Sequence, residues 1–550
     1  MDEKIKKLLR SALNECGIAA DDIHIEHPDI FSHGDYSTNT AMRYAPQAKT
    51  SPKELAEKIT RYIERNLPNE VEKVAVAGPG FINFYLSKEF FAKSLEDISN
   101  QNEKFGENKL LENKKVIIEY TDPNPFKEFH IGHLMSNAIG ESLSRIVEYS
   151  HAEVKRANYQ GDVGLHVAKA IWGKMQKPDA SWGEAYAYGA QSYEDHKKEI
   201  NEINKKIYEG SDSEINALYE KGKKASLADF EKIYKRLGTK FNFYFFESES
   251  GPIGLEIIKK HTNVFEKSDG AIIFHGEKFD KTLHTRVFVT KEGLPTYEAK
   301  ELGLAKIKYD EYPHDVSIVI TGNEVNDYFR VVYKAMEQVF PELAEKTKHV
   351  PHGMLRLTTG KMSSRTGDVI SAESLLNDVK NRVLEKMKDT DLSEKEKIAD
   401  QIAVGAVKYS ILKQATGNDI IFDFEKSLSF EGDSGPYLQY TYARARSVME
   451  KAKEAGIKAS IKNPLPAITE TEKFLYQFPE VVARSLNEHE PHYIATYLTR
   501  LASAFNNFYA KERIVDGGEL APYRLAIVEA VSIVLKNGLW LLGIEAPERI

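Results

Sequence analysis

The chain has 550 residues, 41% hydrophobic and 29% charged, with a net charge of −8, so roughly three or four soluble domains are expected rather than one core. No apolar run approaches the ~20 residues that a membrane helix needs, and the single cysteine, Cys16, excludes an internal disulfide and a cysteine-rich zinc site. The acidic balance argues against a nonspecific polyanion binder, although a local basic surface can still steer a phosphate backbone.

The N-terminus, MDEKIKKLLRSALNEC, has a charged amphipathic pattern without the apolar core of a signal peptide, and a cytoplasmic protein is expected. Residues 1–100 continue with HGDYSTNTAM and VAVAGPGFINFYLS, β-rich around Gly78-Pro79-Gly80, and read as a small α/β domain. An asparagine- and lysine-rich linker near 101–114 follows. KKVIIEYTD then gives an apolar strand, DPNPFKEF a turn, and HIGHLMSNAIGESLSRIVEY a helix, the start of a βαβ unit. Residues 101–425 are thus expected to form an α/β parallel-sheet domain. Its charge-dense stretch near 176–275 reads as an insertion, and strands return at TRVFVT and DVSIVITG. From 426 to 550, apolar residues at three- and four-residue spacing predict an all-α bundle.

Two stretches carry chemistry. His130-Ile131-Gly132-His133 sits at a strand-to-helix turn, where free N–H groups and the positive helix end favour an anion. Gly132 would let a flat base approach the backbone. Taken alone, the two histidines could equally be helix caps. Some 230 residues later, Gly360-Lys361-Met362-Ser363-Ser364-Arg365-Thr366-Gly367 combines a lysine, two hydroxyls and an arginine in a loop suited to a pyrophosphate leaving group. In isolation, a solvated loop is the better reading.

In this order the two motifs resemble those of class I aminoacyl-tRNA synthetases. IEYTDPNPFKEFHIGH, NYQGDVGLHVAKAIWG, LPTYEAKELGLA, FEGDSGPYLQYTYARA and LLGIEAPERI narrow the resemblance to the arginyl-tRNA synthetase family, and HGDYSTN and AGPGFINF resemble its additional N-terminal domain. The resemblance implies a Rossmann-like catalytic domain that uses ATP, with Mg²⁺ on the phosphates and no metal ligand from the protein. It also implies L-arginine and tRNA(Arg) as substrates and activation that waits for bound tRNA; no membrane association and a monomer are expected.

By the same resemblance His130, His133, Lys127 and Lys361 are catalytic, and Gly132, Met362, Ser363, Ser364 and Arg365 join His130, His133 and Lys361 around ATP. Glu119, Tyr297 and Glu301 would hold the guanidinium and Asn124 the α-amino end. A guanidinium is a flat, permanently charged fork with five donors, which suits such a set. Tyr297 and Glu301, at i and i+4, would share a helix face. Tyr437, Gln439, Tyr440, Tyr442, Arg444 and Arg446, with Tyr509 and Arg513 on a later helix, would face the anticodon loop by stacking and phosphate pairing, although tyrosines packing between helices fit as well.

Three positions depart from the family pattern. Glu301 stands where aspartate is usual, Val325 where a polar residue is frequent, and Ser364 where the second lysine of the loop falls, a role that Lys127 is thought to take over. Gly432-Asp433-Ser434-Gly435-Pro436 looks superficially like a serine-peptidase nucleophile segment, but helical sequence follows it directly. A class I enzyme for lysine is the nearest electrostatic alternative, and an RNA-binding relative without catalysis is another.

Overall fold

Val116, Ile117 and Ile118 are all buried, as a strand covered on both faces requires, and so are Ile318, Val319 and Ile320. These apolar runs form the centre of a five-stranded parallel sheet in the computed structural model, which describes residues 1–357, 370–388 and 393–550. Its strands are β1 (Lys115–Glu119), β2 (Glu153–Gln160), β3 (Phe243–Phe246), β4 (Val316–Gly322) and β5 (Thr347–His352). Their spatial order is β3-β2-β1-β4-β5, every pair parallel. The order reverses between β1 and β4, and a doubly wound sheet opens its ligand crevice at that point.

The helix Ile131–Tyr149 follows β1 and begins at this crevice. Ser136 Oγ donates to the Ile320 carbonyl on β4 at 3.2 Å and accepts the Thr121 N–H at 2.9 Å, fixing the helix between the two central strands.

The chain returns to the sheet at β3, inside the stretch 176–275 read as one insertion. Two separate excursions are found instead. Helices between Leu165 and Leu237 lie between β2 and β3, and an antiparallel sheet (Glu266–Ser268, Ala271–His275, Thr285–Val289) lies between β3 and β4. TRVFVT is thus a strand, but of this smaller sheet. The four residues of β3 were hidden in polar, helix-rich sequence. The flanking helices Glu247–Lys260 and Tyr297–Glu311 cross at glycine, since a Cβ on Gly254 would sit 2.0 Å from the Ala299 carbonyl oxygen.

Residues 36–38, 81–86 and 71–77 form a small antiparallel sheet, in that order, against the helices Asp2–Glu15, Thr40–Ala48 and Pro52–Arg65. This unit has its own core, into which Tyr476 of the C-terminal bundle inserts. Glu480 joins the two by accepting from the Tyr36 hydroxyl at 2.6 Å and pairing with His27 at 2.8 Å. The bundle includes the helices Gly435–Glu454, Phe478–Glu488, His492–Lys511 and Ala521–Leu541. Its core runs without interruption into that of the parallel sheet. Among the described residues no helix is long and apolar enough to cross a membrane.

Candidate active site

The turn after β1 is strained. Thr121 and Asp122 are consecutive non-glycine residues in the left-handed region (φ 82° and 45°), and Phe126 is a third (φ 71°). Neighbours hold each of them. Asn137 Nδ2 donates to Thr121 Oγ1 at 3.0 Å, the Tyr159 N–H to Asp122 Oδ1 at 2.8 Å, and the Phe126 N–H to Ser226 Oγ at 2.9 Å. The turn carries Asn124 and Lys127 to the mouth of the crevice.

His130 is the N-cap of the helix Ile131–Tyr149. Its Nδ1 accepts the Gly132 N–H at 3.1 Å, and His133 Nδ1 accepts the His130 N–H at 3.2 Å. The rings stack with centroids 3.6 Å apart. Burial, then the nearby cation of Lys127, lowers the pKa of His130; burial, then His130, lowers that of His133 well below the usual histidine range. Both rings are therefore neutral at physiological pH, and acceptance at Nδ1 leaves the proton on Nε2. Capping and catalysis are not alternatives here, because the cap occupies Nδ1 of each ring and leaves an Nε2–H as the remaining donor. Lys127 lies 5.1 Å from the Tyr186 ring centroid, and its pKa is lowered, chiefly by burial.

Ile370 and Ala372 are tied to the histidine motif. The Ile131 N–H donates to the Ile370 carbonyl at 3.2 Å, and the Ala372 N–H to that of Phe129 at 2.8 Å. Lys361, Met362, Ser363, Ser364 and Arg365 lie outside the described residues.

Acidic groups gather at the end of β1. Glu119 is 2% exposed, and its Oε2 accepts from Lys308 Nζ at 2.7 Å. Glu301 has no hydrogen-bonded partner among the described residues. Burial, then the charge of Glu119, pushes its pKa up to about 8. Asp122 is raised as well, by burial first and Glu119 second. Glu247 pairs with Lys300 at the crossing of the two helices. Tyr297 begins the same helix as Glu301, as the spacing anticipated, and is 65% exposed. Val325 is the N-cap of the helix Asn326–Val339 and presents no polar group there.

Lys308 and Gly161 escaped the sequence reading. Lys308 stands seven residues after Glu301, two turns along one helix face, a spacing that could have flagged it. A Cβ on Gly161 would lie 2.3 Å from Asn124 Oδ1 and 3.3 Å from Glu247 Oε1. Gly161→Ala is therefore expected to displace Asn124 and raise the KM for arginine by up to about 100-fold. Arginine and ATP titrations of pyrophosphate exchange check this, since only the arginine curve should move.

In the bundle, the Arg444 guanidinium lies 4.8 Å from the Tyr440 ring centroid and 5.2 Å from that of Tyr509, both rings partly exposed. The Tyr437 hydroxyl accepts from Asn506 at 3.0 Å, and Arg513 is exposed. Gln439 is fully buried and donates to the carbonyls of Gln401 at 3.2 Å and Glu545 at 2.8 Å. Such a residue ties helices together and cannot reach RNA, which corrects its reading as a contact. Tyr442 is also buried, and Arg446 pairs with Glu548. Ser434 Oγ caps its helix by accepting the Tyr437 N–H at 3.1 Å and donates to the Ser429 carbonyl, so it is not a nucleophile.

The sheet order, the strained turn and the paired histidines at the crevice define a class I aminoacyl-tRNA synthetase catalytic domain. A model of the catalytic domain of class I tRNA synthetases (R) matches residues 94–424, one of the DALR anticodon binding domain residues 438–550, and one of the arginyl tRNA synthetase N-terminal domain residues 3–86. The arginine–tRNA ligase of Clostridium acetobutylicum is 32% identical, with 96% of each chain covered. That of Halothermothrix orenii is 30% identical over 100% of this chain and 99% of its own. The fold is shared with the arginyl-tRNA synthetase of Thermus thermophilus (TM-score 0.81, 24% identity, both chains covered in full). The chain belongs to the arginyl-tRNA synthetase family.

Proposed function

We propose that the chain is an arginine–tRNA ligase that activates L-arginine with ATP and transfers it to the terminal adenosine of tRNA(Arg). The observation that carries this reading is the pair of neutral Nε2–H donors at a helix N-terminus beside the acidic end of β1.

The arginine carboxylate attacks the α-phosphate of ATP and pyrophosphate leaves. His130 and His133 donate to phosphate oxygens, with Lys127 and Lys361 as cations and Gly132 under the base. Met362, Ser363, Ser364 and Arg365, which follow Lys361 in sequence, are assigned to ATP with it. Glu119 and Glu301 take the guanidinium, Tyr297 covers it, and Asn124 takes the α-amino group. Among the described residues no group of three or more His, Cys, Asp or Glu could hold a metal. By family resemblance, Mg²⁺ would sit on the nucleotide phosphates and offset their charge. A ribose hydroxyl of the tRNA terminus then attacks the adenylate. Tyr437, Tyr440, Arg444, Tyr509 and Arg513 are assigned to the anticodon loop, and the protein is taken as a monomer.

Aminoacylation of total tRNA with arginine, lysine and glutamine in turn tests the reading, together with ATP–pyrophosphate exchange with and without tRNA. Arginine-only charging is expected, with exchange that needs tRNA. Charging with lysine would keep the catalytic assignment and overturn the pocket.

A further inference from the structure

Three carboxyl groups, Glu119, Asp122 and Glu301, crowd the end of β1, and the ammonium of Lys308 is buried among them. Lys308 is 4% exposed. It donates to Glu119 Oε2 at 2.7 Å, while Glu119 Oε1 has no donor among the described residues. Tyr159 and Tyr333 face the same charges, and His314 faces Lys308. Behind the pair a hole of about 10 Å³ is lined by Glu301, Lys308, Ser317 and Tyr333, too small for a hydrated counter-ion. The Tyr333 hydroxyl and Ser317 Oγ that border it have no hydrogen-bond partner among the described residues.

Burying a charge is costly unless it is paired and hydrogen-bonded, and the Lys308 ammonium supplies that pairing for Glu119. The ion pair also fixes one carboxylate oxygen and leaves the other open.

We propose that Lys308 is a positioning residue of the arginine pocket, fixing Glu119 by its Oε2 and leaving Oε1 to face the guanidinium. This rests on the arginine reading above. A pure staple between the helix and β1 is the competing role. Such a staple would affect stability, but it would not move the arginine KM apart from that for ATP, nor be rescued in that KM by arginine at position 308.

The test measures the KM for arginine by tRNA-dependent pyrophosphate exchange from pH 6.5 to 9. It compares the wild type, Lys308→Met, Lys308→Arg, Glu119→Gln and the double variant Glu119→Gln/Lys308→Met, with the KM for ATP and the melting temperature followed in parallel. Lys308→Met is expected to raise the arginine KM by about 10- to 100-fold at pH 7 without moving that for ATP. Lys308→Arg largely restores the wild-type value. The double variant matches Glu119→Gln alone, because Lys308 acts only through that carboxylate. A wild-type arginine KM in Lys308→Met, an equal rise in the KM for ATP, or a double variant clearly worse than Glu119→Gln would overturn the proposal. If Lys308→Met does not fold, the double variant, which leaves neither charge unpaired, decides by the same comparison. A wild-type chain without arginine-dependent exchange would instead overturn the pocket reading itself, and the proposal with it.

Discussion

Replacing His133 with alanine is expected to slow adenylate formation by about 100- to 1000-fold while leaving tRNA affinity nearly unchanged. The ring is buried, and its Nδ1 already accepts the His130 N–H, so Nε2–H is the donor left to meet a phosphate. Alanine removes the acceptor and the donor together. Asparagine can restore an acceptor near the Nδ1 position but places nothing where Nε2 was, so His133→Asn should be as slow as His133→Ala. A fast His133→Asn enzyme would mean that the histidine works as a helix cap. Because both histidines are held neutral, with pKa values below the usual range, neither should add an acidic limb to the rate between pH 7 and 8.5. Pyrophosphate exchange with saturating tRNA measures the rate, and filter binding measures the affinity separately.

The parts legible in the sequence were those that local chemistry determines. The apolar run before the His130 motif could only be a buried strand, the turn and helix after it followed from proline and the capping pattern, and the i, i+4 spacing of Tyr297 and Glu301 fixed their shared face. What escaped depends on where distant segments meet. The strand at Phe243–Phe246 is four residues long and gains its place only by pairing with β2. Lys308 reads as one more surface lysine until its helix crosses β1. Gly161 matters only because Asn124 comes within a methyl's width of it. Gln439 shows the opposite failure, since a polar residue among tyrosines and arginines suggested RNA, whereas its helix turns it inward to two backbone carbonyls. On the nucleotide side, the His130-to-His133 stretch was readable as one continuous strand-turn-helix motif. The arginine side, assembled from β1, a helix nearly 200 residues later and a strained turn, was readable only through family resemblance.

Glu301→Gln is expected to raise the KM for arginine by about 10- to 100-fold, the worth of one charge-assisted hydrogen bond, with little change in the KM for ATP. The sharper signature is in the pH profile. In the empty pocket the Glu301 pKa is pushed up to about 8, by burial first and by Glu119 second. The carboxyl is therefore protonated below that pH, whereas a guanidinium requires it ionised. Binding then releases a proton, so the arginine KM of the wild type should fall by roughly tenfold per pH unit up to about 8 and level off above it. Arginine's guanidinium stays charged throughout, so the slope belongs to the protein. Glutamine has no proton to release, and the Glu301→Gln profile should be flat at a uniformly weaker value. A slope that survives in Glu301→Gln would move the titration to Asp122, whose pKa is also raised. A wild-type profile that is flat from pH 6.5 to 9 would mean that Glu301 is ionised before arginine arrives. The asymmetry between the two carboxylates has a direct cause in the fold. Glu119 has a buried cation bonded to it, whereas Glu301 has none among the described residues, so burial and the neighbouring carboxylate act on Glu301 unopposed by a hydrogen-bonded cation.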